Sequence, residues 1–223
     1  MSDVNVTNAS IAQGGVSPIA VNKVLKNTYL LLALTLAFSA FTAMLSYNAP
    51  SLGLVPTLVG FYGLLFITHK LANSAWGLLA VFAFTGFIGF TVGPLIGLLT
   101  SMSGGSELVA KALGGTAFIF FGLSGYALVS RKDFSFLTGF LFAGFLVLVA
   151  AMVVQIFWPM PALQLAMSVG FILFSSAVIL FQTSEIVRGG EQNYILATVT
   201  LFVSLYNIFI SLVHLLMAFS GDD

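Results

Sequence analysis

The sequence contains no cysteine. Disulfides, thiol nucleophiles and thiolate metal sites are excluded at once. Charge is nearly as scarce: seven Lys/Arg and seven Asp/Glu make up 6% of 223 residues and sum to zero. An ordinary soluble domain carries about 25% charged residues. So few charges cannot cover the surface of a water-soluble fold of this size. Nor can they build the clustered basic face that a nucleic-acid partner requires. What is abundant is apolar, 59% of the chain. The composition describes a polytopic membrane protein, and the position of each charge becomes informative.

A bilayer core of about 30 Å takes about 20 apolar residues per helix. Seven stretches qualify: Thr28–Tyr47, Leu52–Leu71, Ala75–Thr100, Leu108–Ser130, Ser135–Trp158, Ala162–Val187 and Tyr194–Phe219. They are continuously apolar rather than alternating, which favours helices over a β-barrel. Between them lie short polar breaks with turn chemistry, such as Asn48-Ala49-Pro50-Ser51 and Pro159-Met160-Pro161. Gly189-Gly190, in the last break, reads as a helix C-cap and turn. The expected organisation is a polar, mobile tail over residues 1–27, a membrane domain over 28–219 and a short tail over 220–223. The first segment lacks the apolar core of a cleaved signal peptide, so the first span is expected to serve as an uncleaved anchor.

With seven spans, Lys23, Lys26, Lys70, Arg131, Lys132 and Arg188 fall on the N-terminal side and only Lys111 on the other. Positive charge stays cytoplasmic. The N-terminus is therefore expected inside and the C-terminus, with Asp222 and Asp223, outside.

Polar residues inside spans line helix interfaces or cavities. In the seventh span Thr200, Ser204, Asn207, Ser211 and His214 share one helical face. In the sixth, Ser168, Ser175 and Gln182 recur every seven residues, and Glu185 continues the stripe. Two such stripes in consecutive helices are expected to face each other, with the last helix inside the bundle. The seam can bind or conduct an ion, or serve as interhelical glue worth about 0.6–2 kcal/mol per hydrogen bond. It holds no carboxylate in mid-membrane, whereas a hard cation takes several oxygen ligands, usually including carboxylates. Glu185 and Arg188 pair as a gate or as an interfacial ion pair, with Glu191 following. Glu107 and Lys111, at i and i+4, form a surface pair. Gly89, Gly93 and Gly97 give the third span a face for close helix approach, and Pro94 is a candidate kink.

No catalytic constellation emerges. Gly122-Leu123-Ser124-Gly125 resembles the serine motif of rhomboid-type intramembrane proteases, which pair that serine with a histidine. Here His69 sits at a helix end, and Ser124 and His214 lie toward opposite membrane faces, roughly 15–20 Å apart at 1.5 Å per residue. A Ser–His hydrogen bond needs about 3 Å. Neither a metal-ligand cluster nor a phosphate-cradling loop is present, so the expectation is a protein that is not an enzyme and has no cofactor.

Several runs carry a family resemblance. They are Lys23-Val24-Leu25-Lys26-Asn27-Thr28-Tyr29, LTLAFSA (Leu34–Ala40), AFTGF (Ala83–Phe87), ALGGTA (Ala112–Ala117), RKDFSFL (Arg131–Leu137) and the long run TSEIVRGGEQNYILATVTLFVSLYNIFISL (Thr183–Leu212). Together the chain resembles the Bax-inhibitor (TMBIM-like) family of seven-helix membrane proteins, in particular its bacterial YccA branch. The resemblance implies a helix bundle with its last helix at the centre. For this branch it also implies a partner, the membrane-anchored AAA protease FtsH, whose action on membrane substrates such proteins modulate. It places the protease's grip on the tail Met1–Asn27, a polar segment suited to an unfoldase. Other members are pH-sensitive calcium leaks gated by two aspartates on the last two helices. The aligned positions here are Gln182 and Ser204, which cannot titrate near neutral pH. The leak mechanism loses its proton sensor, while Gln182 and Ser204 remain able to hydrogen-bond and hold the seam shut.

Overall fold

The computed structural model describes residues 17–220. Its seven helices are α1 (Pro18–Leu45), α2 (Leu54–Leu71), α3 (Trp76–Thr100), α4 (Gly105–Ser130), α5 (Leu137–Phe157), α6 (Pro161–Arg188) and α7 (Tyr194–Ser220). Each is long and apolar enough to cross a membrane. There is no strand among the described residues. The chain is an all-α, multi-pass bundle, as its composition requires.

The expected spans are recovered, with one instructive difference at α1. The helix begins at Pro18, well ahead of the apolar stretch that opens at Thr28, so residues 18–27 are helical and not part of a loose tail. Two local signals set this start. Ser17 is extended and its side chain accepts a hydrogen bond from the Ala20 amide, and Pro18 occupies the first helical turn, where it needs no amide partner. Hydropathy marks where a helix enters lipid, not where it begins. The expected tail otherwise falls on residues 1–16, which, like residues 221–223, lie outside the described residues. Elsewhere the ends shift by small amounts: α4 starts at Gly105, behind Gly104 in the left-handed region (φ 74°).

α7 occupies the centre. It packs against α1, α3, α4 and α6, whereas α2 packs on α3 and α5 on α6 at the flanks. Over half of α7's most apolar window is buried, against 6% for α2 and for α5. The main core joins Leu32, Phe84, Ile88, Phe120, Ile179 and Leu201, drawn from five helices. Phe84 meets both Phe61 and Phe202 edge-on, with ring centroids 5.4 and 6.4 Å apart. A second cluster of Leu99, Val109, Ala112 and Val213 closes the other end.

α1 and α3 approach closely through the glycine face. A Cβ on Gly89 would collide with the Ser39 carbonyl, one on Gly93 with Ser46 and the Ala43 carbonyl, and one on Gly97 with the Tyr47 carbonyl. The stripe read from the sequence is thus a backbone-to-backbone contact with α1. Pro94 does not break α3, which continues to Thr100.

Candidate functional site

The two helices that carry the polar stripes, α6 and α7, share an extensive contact. Ser168, Ser175 and Gln182 on α6 and Ser204 and Ser211 on α7 are buried. Thr200, Asn207 and His214 are partly buried at the edge of the same face.

The bonding differs from simple interhelical glue. Ser204 Oγ donates to the Thr200 carbonyl at 2.8 Å and Ser168 Oγ to the Gln164 carbonyl at 3.0 Å, each within its own helix. No hydrogen bond joins Gln182 to Ser204. Gln182 Nε2, Ser175 Oγ, Ser124 Oγ and Thr28 Oγ1 are buried without any partner. Of the hydrogen bonding expected at Gln182 and Ser204, only the bond of Ser204 within α7 is present, and none joins the two residues. For Ser204 and Ser168 the physical reason is local competition: the carbonyl four residues back lies within reach and takes the hydroxyl.

Cross-chain polar contacts instead concentrate at one end of the bundle, where α1 starts and the α2–α3, α4–α5 and α6–α7 turns meet. Asn193 precedes α7. Its Oδ1 accepts from the Ile195 and Leu196 amides at 2.9 and 3.1 Å, a helix N-cap. Its Nδ2 donates to the Ala72 carbonyl at 3.1 Å and to Asn73 Oδ1 at 2.8 Å, tying the cap to the α2–α3 turn. Ser184 Oγ donates to the Lys132 carbonyl at 2.8 Å, tying α6 to the α4–α5 turn. Thr198 Oγ1 reaches the Thr28 carbonyl of α1 at 3.2 Å. The α6–α7 corner thus clamps three other segments.

Arg188 belongs to this clamp, with a different partner from the one expected. It pairs with Asp133 in the α4–α5 turn and not with Glu185. Glu185 is held by the turn itself: its carbonyl accepts from the Gly190 and Glu191 amides at 2.9 and 3.2 Å, with Gly189 at φ 81° capping α6 as the sequence indicates. Spacing along one helix cannot reveal a partner on another turn. Glu191 also stays local, accepting from the Asn193 amide at 2.7 Å. Glu107 and Lys111 form the expected exposed pair at 2.8 Å.

The Ser135 amide, bonded to Asp133 Oδ1 at 2.8 Å, is the main reason the Asp133 carboxyl sits below the usual aspartate range, and Arg188 adds to it. A depressed carboxyl contributes stability above its ordinary value and loses it as pH falls through the depressed one. The clamp should therefore stay intact through neutral and mildly acidic pH. A carboxyl-carbon NMR titration should place the Asp133 midpoint below about 3.9. Ser135→Pro, which removes the amide, should raise that midpoint more than Arg188→Ala does.

Asn193, Asn73, Ser184 and Asp133 were not singled out from the sequence. Asn193 carried a readable signal, an Asn just before an apolar run. Asn193→Ala removes a cap worth about 0.5–2 kcal/mol along with its inter-turn bonds. It should lower unfolding stability in mild detergent, and it should speed amide exchange in the α2–α3 turn as well as in α7. Exchange confined to α7 would mean that the inter-turn bonds contribute nothing.

A family model described as inhibitor of apoptosis-promoting Bax1 matches residues 21–221. The chain belongs to the Bax-inhibitor family. It is 54% identical over 208 residues, 92% of this chain and 94% of the relative, to a protein of Escherichia coli strain K12 named modulator of FtsH protease YccA. At the same identity and coverage it matches a protein of Escherichia coli O6:H1 named inner membrane protein YccA. An uncharacterized protein of Pseudomonas aeruginosa is 53% identical over 205 residues, 91% of this chain and 92% of the relative. The seam and the clamp are thus built on a Bax-inhibitor bundle whose relatives include a named protease modulator.

Proposed function

We propose that this chain is an inner-membrane modulator of the membrane-anchored AAA protease FtsH, acting by association and without catalysis of its own. The observation that carries the reading is the near full-length 54% identity to a protein named for that role. In this reading the end that carries Lys23, Lys26, Lys70, Arg131, Lys132 and Arg188 faces the cytoplasm. The clamp there gives the protease a fixed surface, and the segment ahead of Ser17 gives it a chain end to grip. Affinity purification from membranes should recover FtsH with the tagged chain, and FtsH membrane substrates should turn over at a different rate when the chain is absent. No copurification together with unchanged turnover would refute the proposal. Removing residues 2–16 separates the two contacts: association that survives truncation belongs to the membrane domain.

One observation favours a second reading, a leak for calcium or another cation along the α6–α7 seam. Four buried polar atoms, among them Gln182 Nε2 and Ser175 Oγ, lack partners, and unpaired polar groups of this kind hold water where space allows. Purified protein in calcium-loaded liposomes decides the matter. Flux that rises in Gln182→Ala supports the leak; no flux at any pH removes it.

A further inference from the structure

α1 and α4 both pack on α3 and α7, but their backbones stay apart from each other, with Tyr29 of α1 against Phe120 of α4, ring centroids 5.9 Å apart, at one end. Between them lies a cavity of about 610 Å³. Ile88 and Val92 of α3 and Phe202 and Leu205 of α7 line it as a floor, and α1 and α4 form its walls. Wall residues Ala40 and Met44 on α1 and Leu113 and Phe121 on α4 are exposed, so the cavity opens sideways where the bilayer would lie. It extends from Tyr29 on α1 to Tyr47, just past the end of that helix, close to the length of about 27 Å that a helix of the same number of residues would have.

Three features fix the occupant. The lining is almost wholly apolar, and three of its five hydroxyls are turned to protein partners: Tyr29 meets Thr183, Tyr47 meets Thr100, and Thr116 donates to the Ala112 carbonyl, leaving Ser39 and Tyr206. The volume is too small for a transmembrane helix. At a diameter of about 10–12 Å, a helix 27 Å long fills more than about 2,000 Å³. A single acyl chain does fit. Taking a methylene as close to the about 30 Å³ that a water occupies, a chain of 16–18 carbons needs about 500 Å³.

We propose that the α1–α4 groove binds one acyl chain of a membrane phospholipid, inserted against α3 and α7 between two helices whose backbones stay apart. Apolar burial alone does not favour this site over bulk lipid, since lipid tails are as apolar as leucine. The gain is in packing: an unfilled groove leaves its lining without contact partners, and a chain held on three sides restores them.

The test uses the full-length protein, reconstituted with a phosphatidylethanolamine carrying a photoactivatable diazirine at mid-chain. Labelling should concentrate several-fold on α1 (residues 33–44) and α4 (residues 113–121) relative to the exposed faces of α2 and α5. Native mass spectrometry after detergent exchange should retain one phospholipid per chain. Ala40→Trp with Ala117→Trp fills the groove from two exposed positions. It should abolish the retained lipid and the concentrated labelling, whereas Phe142→Trp on the exposed face of α5 should change neither. Uniform labelling, or lipid retention unaffected by the double variant, overturns the proposal. So does disulfide-linked dimer formation by Ala40→Cys or Ala117→Cys in native membranes, since a second copy would then cover the groove; the absence of native cysteine keeps that readout clean.

Discussion

Gly89→Ala is expected to destabilise the bundle by about 1–3 kcal/mol, the range for overpacking a close contact. The new methyl meets the Ser39 carbonyl and Thr42 Oγ1. A flexible side chain could swing aside, but a helix backbone carbonyl cannot, so α1 itself must move away from α3. Gly93→Ala acts in the same way through the Ala43 carbonyl and Ser46, and its effect should add only in part, because both force the same displacement of α1. Gly63 on α2 is the control, since nothing lies within 4 Å of a Cβ built there. Gly63→Ala should be neutral or stabilising, by up to about 0.8–1 kcal/mol from helix propensity. Denaturant titration in detergent micelles measures all three. A neutral Gly89→Ala would mean that α1 and α3 slide without loss, and the glycine face would then carry no packing role.

The contrast between Gly89 and Gly63 also shows what the sequence could reveal. Spacing of four along one helix identified the face of α3 but not its partner, because each glycine meets a residue about fifty positions earlier and nothing in the pattern of α1 marks the receiving side. Likewise, the stripe from Thr200 to His214 placed α7 at the centre correctly, since polar residues at helical spacing in a membrane must be hidden from lipid. Its bonding was not legible. Whether Ser204 turns to Thr200 or to α6 depends on rotamers and interhelical distance, which periodicity does not encode. Arg188 illustrates the same limit: its nearest acid in sequence is Glu185, its partner in space is Asp133. Local features were readable where their cause is local, as with Gly189 ending α6 and Asn193 starting α7. The Pro18 start of α1 follows from a cap that lies outside any apolar window.

Ser204→Asp tests the seam at a closed position, where Ser204 is 3% exposed. An isolated carboxylate at mid-membrane costs about 2.5–3.5 kcal/mol on insertion scales. That cost falls on the charged form, so it depends on pH. The direction follows from desolvation, which favours the neutral form. It also follows from the hydrogen bond, since Ser204 Oγ donates to the Thr200 carbonyl and only a protonated acid retains a donor. The deficit relative to the parent should therefore be smallest in acid, where the side chain is neutral, and grow as pH rises and the carboxylate forms. Gln182→Asp removes an amide nitrogen that has no partner and places a second acid on the facing helix. If the two acids share a proton across the seam, the double variant should lose less stability than the sum of the single variants, and it should acquire a pH dependence near neutrality that the parent lacks. A Ser204→Asp variant as stable as the parent at pH 7 would mean that water already reaches this position, and the seam would have to be read as open.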